Sequence, residues 1–331
     1  MNNYKKISVK CMADKLKNLS NDIIISGHKN ADYDSLCSSL ALAYSLKKMN
    51  KNAKVLLEPE DIKKIDYFNL SDLLCEKIEA KDYTFIAMDL NKTSRLPDFA
   101  KEYYKKANYR INIDHHNGNA TKAEIILSKQ NTSSTCEITY DIIKKLNIDF
   151  DKKLSELIFT GIISDTNLFF NNASSKTFSI ASKLLKNGVE SEDLIKKFYL
   201  AKTKNEMNII SYINNNITYC NFHYVILDMK KEPFNSVSYS DISKKCIPAV
   251  LNREDIDVMM VIMDYGNKRK GEIRSKNKLD VSKLAELLIG GGHIHAAGFS
   301  NKKTIDEIIN ISKKYIIGDS DGKWFKIYSL W

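Results

Sequence analysis

A buried-strand pattern that runs into a polar loop and then into a helix is the feature of this chain that most constrains its fold. Residues 22–26 read Asp-Ile-Ile-Ile-Ser, a β-branched run typical of a buried parallel strand. The polar residues 28–34 follow, and Ser35 begins a pattern of leucines at helical spacing that extends to about Met49. Because parallel strands require crossover connections, this order predicts an α/β fold.

The same alternation continues through the first half of the chain. Strand patterns occupy residues 55–57, 83–89 and 110–113, and helix patterns occupy residues 135–146, 152–163 and 177–187. Strands that alternate with helices predict a mostly parallel sheet flanked by helices. We therefore expect an N-terminal α/β domain over residues 1–190.

The sequence changes in character near residue 191. Residues 191–218 carry a helical pattern without a strand pattern, which predicts a helical connector. Strand patterns at 222–228, 258–264 and 271–275 then accompany helix patterns near 239–246, 281–289 and 303–314. They predict a smaller C-terminal α/β domain over residues 219–331, facing the first domain across a cleft.

Composition excludes several classes of protein. Of the 331 residues, 43% are hydrophobic, which is ordinary for a chain that buries a core and rules out disorder. No apolar run approaches the roughly 18 residues that span a bilayer, and no signal-type segment follows the first residues. We therefore expect a soluble, cytoplasmic protein without membrane contact. The net charge of +10 suits an anionic partner, and a generally lysine-rich composition explains it equally well.

The cysteines are widely spaced along the chain. They are Cys11, Cys37, Cys75, Cys136, Cys220 and Cys246, and none belongs to a Cys-x-x-Cys pair. In a chain of this length the spacing predicts reduced, mostly buried thiols rather than a disulfide framework or a zinc ribbon.

Five of the six histidines lie in three short polar segments, each beyond a strand or beside a glycine run. These five are His28, His115, His116, His293 and His295. A single histidine is usually a satisfied surface or core residue. Histidines grouped with carboxylates and glycines indicate a functional site instead.

The first of these segments, His28-x-x-x-Asp32-x-Asp34, follows directly on the first strand. Its carboxylates lie so close in sequence that they repel one another unless a cation compensates the charge. The alternative is that Asp34 and Ser35 cap the following helix, but capping leaves His28 and Asp32 unexplained. We therefore favour metal ligation.

Further acidic and imidazole groups follow other elements. Asp89 ends a hydrophobic strand and is therefore expected at the sheet edge where open α/β folds bind ligands. The alternative is that Asp89 only forms the turn after this strand. Adjacent residues of an extended chain point to opposite sides, so we expect His115 and His116 to have different roles. We expect Asp114 to orient one of the two imidazoles. Asp165 ends an apolar helix, where taken alone an ordinary loop residue is the better interpretation.

A glycine run marks the second domain. Gly290–Gly292 and His293 follow a helix pattern and predict a loop whose backbone amides approach an anion. The alternative is a flexible loop with a capping glycine. Arg274 and Ser275 lie on a predicted strand, where they could bind a phosphate. The alternative, nearly as good, is that Arg274 is an ordinary surface residue.

Taken in order, these elements resemble a known family. His28-x-x-x-Asp32-x-Asp34, Asp89, Asp114-His115-His116 and Asp165 look like the four motifs of the DHH phosphoesterases. The Gly-Gly-Gly-His run with Ala296-Ala297-Gly298 resembles the signature of the DHH-associated domain. The similarity covers about residues 21–300, and the two-domain size is most similar to the nanoRNase/pAp-phosphatase group. Ala31, Tyr33 and Ile289 depart from the family pattern without replacing a ligand, and Ile289 leaves substrate choice open.

The resemblance implies two divalent cations, manganese being the usual metal and magnesium or cobalt the alternatives. It implies that His28, Asp32, Asp89 and Asp165 hold one cation and that Asp34, Asp89, His115 and Asp165 hold the other. It also implies catalytic roles for His116, Asp89 and Asp114, with His116 at the scissile phosphate or leaving group, and places Asn119 near the substrate. The second domain is expected to recognise substrate through Arg274, Ser275, Gly290, Gly291, Gly292 and His293.

The activity that this resemblance implies is two-metal hydrolysis of phosphate esters. The expected substrates are short RNA or DNA oligonucleotides, cleaved to nucleoside monophosphates, and 3'-phosphoadenosine 5'-phosphate (pAp). The alternatives are a phosphodiesterase for cyclic dinucleotides or their linear products, an inorganic pyrophosphatase, and a non-catalytic RNA-binding protein whose affinity would fall steeply with salt. A homodimer is left open.

Overall fold

The computed structural model describes residues 5–75, 77, 79, 81–118, 120–251, 253–276 and 279–320. The chain divides into two compact units, and the division falls after Ala201. The domain limits expected at residues 190 and 218 stay predictions. Among the described residues, none of the helices combines the length and apolarity needed to cross a lipid bilayer.

The first unit is built on a seven-stranded sheet in which every neighbouring pair is parallel. Its strands are β1 (Lys5–Lys6), β2 (Asp22–Ser26), β3 (Ala53–Leu56), β4 (Leu74–Cys75), β5 (Tyr83–Met88), β6 (Tyr109–Asp114) and β7 (Ile125–Ser128). The order across the sheet is β1-β7-β6-β5-β2-β3-β4. The expected parallel α/β architecture is confirmed.

Helices pack on this sheet and form the larger core. They are α1 (Val9–Lys17), α2 (Tyr33–Lys48), α3 (Pro59–Ile65), α4 (Asp98–Lys106), α5 (Thr135–Leu146), α6 (Lys152–Asp165), α7 (Ser175–Lys186) and α8 (Ser191–Ile195), which continues as a π-helical turn over Lys196–Leu200. Short 3-10 turns lie at Asp66–Phe68, Ser71–Leu73 and Thr93–Arg95. Helix α2 is buried along almost its whole length, from Asp34 to Leu46, so it lies inside the domain.

The sheet register explains why distant motifs meet. Ser26 at the end of β2 pairs with Ala87 of β5, and Met88 pairs with Ile113 of β6. The carboxyl ends of these three strands therefore lie side by side at one sheet edge, as in other open parallel sheets. The polar residues that follow them in sequence begin at that edge.

The second unit contains a mixed six-stranded sheet. Its strands are β8 (Thr218–Tyr219), β9 (His223–Asp228), β10 (Val258–Asp264), β11 (Arg269–Ser275), β12 (Gly290–His293) and β13 (Ala296–Asn301), in the order β12-β13-β11-β10-β9-β8. Only β9 and β10 pair in parallel among the described strands of this sheet. Its helices are α9 (Lys204–Asn215), α10 (Tyr239–Asp241), α11 (Ile247–Leu251), α12 (Val281–Leu287) and α13 (Ile305–Ser320), with a 3-10 turn at Phe234–Ser236 and a π-helical turn at Ile242–Cys246.

The glycine run is a strand, so the expectation of a loop at this position is wrong. Gly290–His293 forms the exposed edge strand β12, paired antiparallel with β13. A Cβ at Gly290 would lie 2.1 Å from the carbonyl oxygen of Gly298, and one at Gly292 would lie 2.5 Å from Cα of Ala297. Two of the glycines are thus required by close strand packing, whereas a Cβ at Gly291 would meet open space.

Candidate metal centre

The predicted ligands of the first unit come together in overlapping groups at the sheet edge. The groups are His28 with Asp32 and Asp89, Asp34 with His115 and Asp165, and Asp89 with His115 and His116. Within each group, one potential ligand atom per residue lies within 4.8 Å of the others. Asp89 and His115 each belong to two groups, so the three form one connected cluster.

His28 presents a defined ring nitrogen to this cluster. Its Nδ1 lies 2.9 Å from the carbonyl oxygen of Lys29, which accepts only from a protonated Nδ1. Nε2 faces the carboxylates, 3.5 Å from Asp89 and 3.7 Å from Asp32. A backbone carbonyl that holds Nδ1–H directs the Nε2 lone pair of the neutral ring toward a ligand, as in most imidazole metal sites.

Helix α2 begins inside the cluster. Its cap is Asp32, whose Oδ1 accepts from the backbone N–H of Ser35 at 3.0 Å, so the alternative that made Asp34 the cap is wrong. The other oxygen of Asp32 faces His28. The Asp32 carboxylate therefore caps the helix and also contributes to the acidic cluster. Helix capping and metal ligation are compatible in this segment.

Asp34 lies in the first turn of α2 and is fully buried. Its two oxygens accept from the backbone N–H groups of Thr135, at 2.7 Å, and Cys136, at 2.8 Å. These are the first residues of α5, so the carboxylate lies at the positive end of that helix. The structure fixes the orientation of Asp34 through a second helix.

Asp89 follows β5 with a left-handed backbone, at φ 57°. Its backbone N–H donates to Ile113 at 2.9 Å, and its Oδ1 accepts from the Thr135 hydroxyl at 2.9 Å. Aspartate tolerates this conformation better than most residues. The turn aims the side chain at His28 on one side and at the two adjacent histidines on the other.

The two adjacent histidines have different surroundings. His115 Nε2 lies 3.3 Å from Asp165 and 3.5 Å from Asp89. His116 Nδ1 lies 2.7 Å from Asp114 Oδ1. Asp114 is fully buried, and it contacts His116, in line with the expectation that it orients an imidazole.

The electrostatics of the cluster follow from its excess of carboxylates. Burial alone lowers the pKa of His28, but Asp32 and Asp89 outweigh burial and raise it to about 9. Burial likewise lowers the pKa of His115, whereas the charges of Asp165 and Asp89 raise it to about 9. Burial raises the pKa of Asp34 well above its ordinary value, and the charges of Asp89 and Asp165 raise it further.

These residues fit a divalent-cation centre. Carboxylate and imidazole ligands are the set that manganese, magnesium and related cations accept in proteins. The raised pKa values show that the site favours positive charge strongly enough to hold protons on its imidazoles. A bound cation satisfies the same electrostatic demand. The cluster can therefore hold metal, and its composition does not determine which ion.

Thr135 is a site residue that the sequence reasoning missed. Its hydroxyl donates to Asp89 and its N–H donates to Asp34, so it connects two of the predicted ligands. Ser134 caps α5 by accepting from Glu137. The Ser-x-x-Glu spacing is a detectable helix-start signal, but it does not indicate which carboxylates the helix start contacts.

The residues expected to bind substrate lie in the second unit, except Asn119, which is outside the described residues. Arg274 and His293 pair with the same residue, Ala296, from opposite sides, so they share one row of the sheet. The Arg274 guanidinium donates to Glu272 at 2.6 Å and to Ser243 at 3.2 Å. Ser275 is buried on the opposite face of β11, so its side chain points away from Arg274.

Comparison with known families agrees with this arrangement. A model described as "DHH family, N-terminal domain" matches residues 22–162, and one described as "DHHA1 domain" matches residues 235–318. The first match contains the strand ends of the acidic cluster, and the second contains β10 to β13. The fold and the cluster define a metal-dependent phosphate-ester hydrolase. The chain contains a DHH family N-terminal domain in its first unit and a DHHA1 domain in its second.

Individual relatives resemble the chain over most of its length. A bifunctional oligoribonuclease and PAP phosphatase, NrnA, of Thermus thermophilus is 23% identical and covers 89% of this chain and 88% of its own. A cyclic-di-AMP phosphodiesterase, PdeA, of Listeria monocytogenes is also 23% identical, over 92% of this chain but only 48% of its own. An exopolyphosphatase-related protein from Bacteroides fragilis has the same fold, with a TM-score of 0.81, 21% identity and coverage of 95% and 96%.

Proposed function

We propose that this protein hydrolyses short oligonucleotides to nucleoside monophosphates and removes the 3'-phosphate of pAp. The observation that carries the proposal is the acidic cluster at the sheet edge, where carboxylates and imidazoles from three strand ends and two helices converge. Similarity to a bifunctional oligoribonuclease and PAP phosphatase over most of both chains supports the choice of substrate.

The metal ligands are proposed as two sets, with manganese as the cation. His28, Asp32, Asp89 and Asp165 form one set, and Asp34, Asp89, His115 and Asp165 form the other. The shared position of Asp89 is supported by its membership of two of the groups described above. When bound, divalent cations lower the pKa of a water ligand and neutralise charge on phosphoryl oxygens.

The chain's own groups prepare this site. The helix-start amides of Thr135 and Cys136 hold the Asp34 carboxylate in place without a flexible side chain. Asp114 accepts from Nδ1–H of His116, which directs Nε2 of that ring toward the substrate. His116 is then suited to contact the scissile phosphate or to hold a proton at Nε2 for the leaving oxygen.

Recognition of the substrate is assigned to the second unit. Arg274, Ala296 and His293 form one row of the sheet, and the open Gly291 lies two rows away, opposite Gly298. Together they offer a guanidinium, an imidazole and exposed backbone. Such groups suit a phosphate or a nucleotide. Arg274 is held by Glu272 and Ser243, so its geometry is set before substrate arrives.

A phosphodiesterase for cyclic dinucleotides, or for their linear products, is the second candidate. It requires the same metal centre, and the similarity to PdeA supports it. It is not favoured, because PdeA is about twice as long as the region it shares with this chain, whereas NrnA is matched over nearly its whole length.

A substrate panel tests the proposal. Activity on pAp, pApA, a five-nucleotide RNA, cyclic di-AMP and pyrophosphate is measured with manganese and again after EDTA treatment. We expect EDTA-sensitive hydrolysis of pAp, pApA and the RNA. Hydrolysis of cyclic di-AMP alone, or of pyrophosphate alone, would overturn the proposal, and so would RNA binding without hydrolysis in manganese.

A further inference from the structure

An exposed aromatic ring follows the last proposed metal ligand closely in sequence. Phe170 is 80% exposed, five residues after the proposed ligand Asp165. Neither the metal centre nor the recognition residues described above involve it. A single exposed apolar side chain is ordinary on a protein surface. What distinguishes Phe170 is the backbone that carries it and its position near Asp165.

The backbone that carries Phe170 has an unusual conformation. Asn167, Leu168 and Phe169 are consecutive residues with positive φ, at 48°, 57° and 67°. Asparagine adopts this conformation readily, but leucine and phenylalanine do not. Conformations of this kind persist where the surrounding structure imposes them, and they concentrate at functional sites.

Several contacts impose the turn. The Leu168 N–H donates to Ile163 at 2.9 Å, and the Phe169 N–H donates to the Thr166 hydroxyl at 3.0 Å. The Phe169 ring packs on Phe159, with centroids 6.1 Å apart, and stacks on Phe178 at 5.1 Å. The residue before Phe170 is therefore anchored in the core, and the turn presents the Phe170 ring to solvent from a rigid base.

The turn also keeps Phe170 close to Asp165. The Asn171 N–H donates to the carbonyl oxygen of Thr166 at 2.7 Å, which closes the loop. Standard backbone dimensions then hold Cα of Phe170 within about 11 Å of Cα of Asp165. A base attached to a nucleotide whose phosphate lies at the metal centre is within reach of a side chain placed at this distance.

We propose that Phe170 is a stacking platform for a nucleobase of the substrate, adjacent to the scissile phosphate. The proposal rests on the proposed function and extends it by assigning a base-binding residue in the first unit. A flat ring suits a base because every base has a π face, and such stacking tolerates any base identity. A single ring is also a small surface, which matches one base better than it matches a protein partner.

Substitutions at Phe170 combined with base removal from the substrate test the proposal. Hydrolysis of pApA is compared with that of two analogues in which one or the other nucleotide lacks its base. For F170A we expect kcat/KM on pApA to fall roughly 5- to 150-fold, mainly through a rise in KM. We expect F170W to have nearly the wild-type kcat/KM and F170L to have a kcat/KM close to that of F170A. One abasic analogue should be hydrolysed equally well by wild type and F170A, since the partner of the ring is then already missing.

The matched control is Y219A, which removes another exposed aromatic ring, 69% exposed on the edge strand β8, and should act like wild type on every substrate. Equal losses for F170A on pApA and on both abasic analogues, or no loss at all, would overturn the proposal.

If wild type hydrolyses no dinucleotide, the proposed function fails, and the calorimetric affinities of the same three compounds decide the stacking proposal separately. Tighter binding of pApA than of one abasic analogue, lost in F170A, supports the platform. Equal wild-type affinity for all three rejects it.

Discussion

The carboxylate of Asp34 accepts a 2.7 Å hydrogen bond from the backbone of Thr135, 101 residues away in sequence. The same threonine donates its hydroxyl to Asp89 at 2.9 Å. One residue at the start of α5 therefore sets the positions of two proposed metal ligands that follow different strands. This arrangement makes the metal centre sensitive to changes at helix packing positions as well as at the ligands.

Asp34→Asn should abolish the response to metal. Asparagine keeps one acceptor oxygen but turns an NH2 group toward a backbone N–H, and it removes the ligand charge. We expect manganese-dependent hydrolysis of pAp to fall roughly 100-fold or more, and the rise in Tm on adding manganese to disappear. Asp14→Asn, at an exposed position of α1, is the control. A wild-type Tm response in D34N would contradict the assignment.

Asp89→Asn separates ligation from backbone conformation. Asparagine tolerates the left-handed φ of this position as well as aspartate does, so the turn after β5 should be retained. We expect a folded protein, shown by an unchanged circular dichroism spectrum, without manganese-dependent hydrolysis. Full activity in D89N would remove the shared ligand on which both proposed metal sets depend.

Gly161→Ala tests the packing behind Asp34. A Cβ at Gly161 of α6 would lie 2.1 Å from the sulfur of Cys136 and 3.2 Å from Asp34 Oδ1. We expect a loss of about 1–3 kcal/mol in the free energy of unfolding, typical of overpacking, together with weaker manganese binding. Adding Cys136→Ala removes the clashing sulfur and should recover part of the stability in a double-mutant cycle. Strictly additive losses would mean that the sulfur contact is not the cause.

Arg274→Ala should affect substrate binding more than the chemical step. Its guanidinium is held by Glu272 and Ser243 in the second unit, which lacks the proposed metal ligands. We expect KM for pApA to rise roughly tenfold or more, while kcat changes by less than about threefold. Arg253→Ala, a half-buried arginine paired with Asp255 in the same unit, is the control. A selective fall in kcat would place Arg274 in the chemistry instead.

Glu137→Gln should reduce the acid sensitivity of folding. Burial alone would raise the pKa of Glu137, but the Ser133 hydroxyl and the Lys176 ammonium outweigh burial and hold it below its ordinary value of 4.5. A folded-state pKa below the unfolded value contributes stability above pH 4.5, and this contribution is lost as the pH falls through the folded-state pKa. Urea unfolding should therefore show wild type more stable than E137Q at pH 7, with the difference shrinking below pH 4.5. A constant difference would exclude ionisation of Glu137 as its source.

Local patterns predicted much of the first unit. Strand Asp22–Ser26 and helix Thr135–Leu146 occupy the predicted residues, because each has a clear apolar period and a clear boundary signal. The two-residue strands β1 and β4 were missed, since two residues carry no period. The strand at Gly290–His293 was also missed, because a run of glycines lacks the side chains that strand patterns depend on.

The order of residues along the chain is enough to predict which groups are available at the site, since polar residues that end neighbouring parallel strands must emerge at one edge of the sheet. The way these groups are held follows from the folded arrangement. The contacts of Asp34 with the start of α5, of the Phe169 ring with Phe178 and of Arg274 with Ser243 all depend on packing between segments. Periodicity and caps are properties of adjacent residues, whereas these contacts follow from which surfaces meet once the chain is compact.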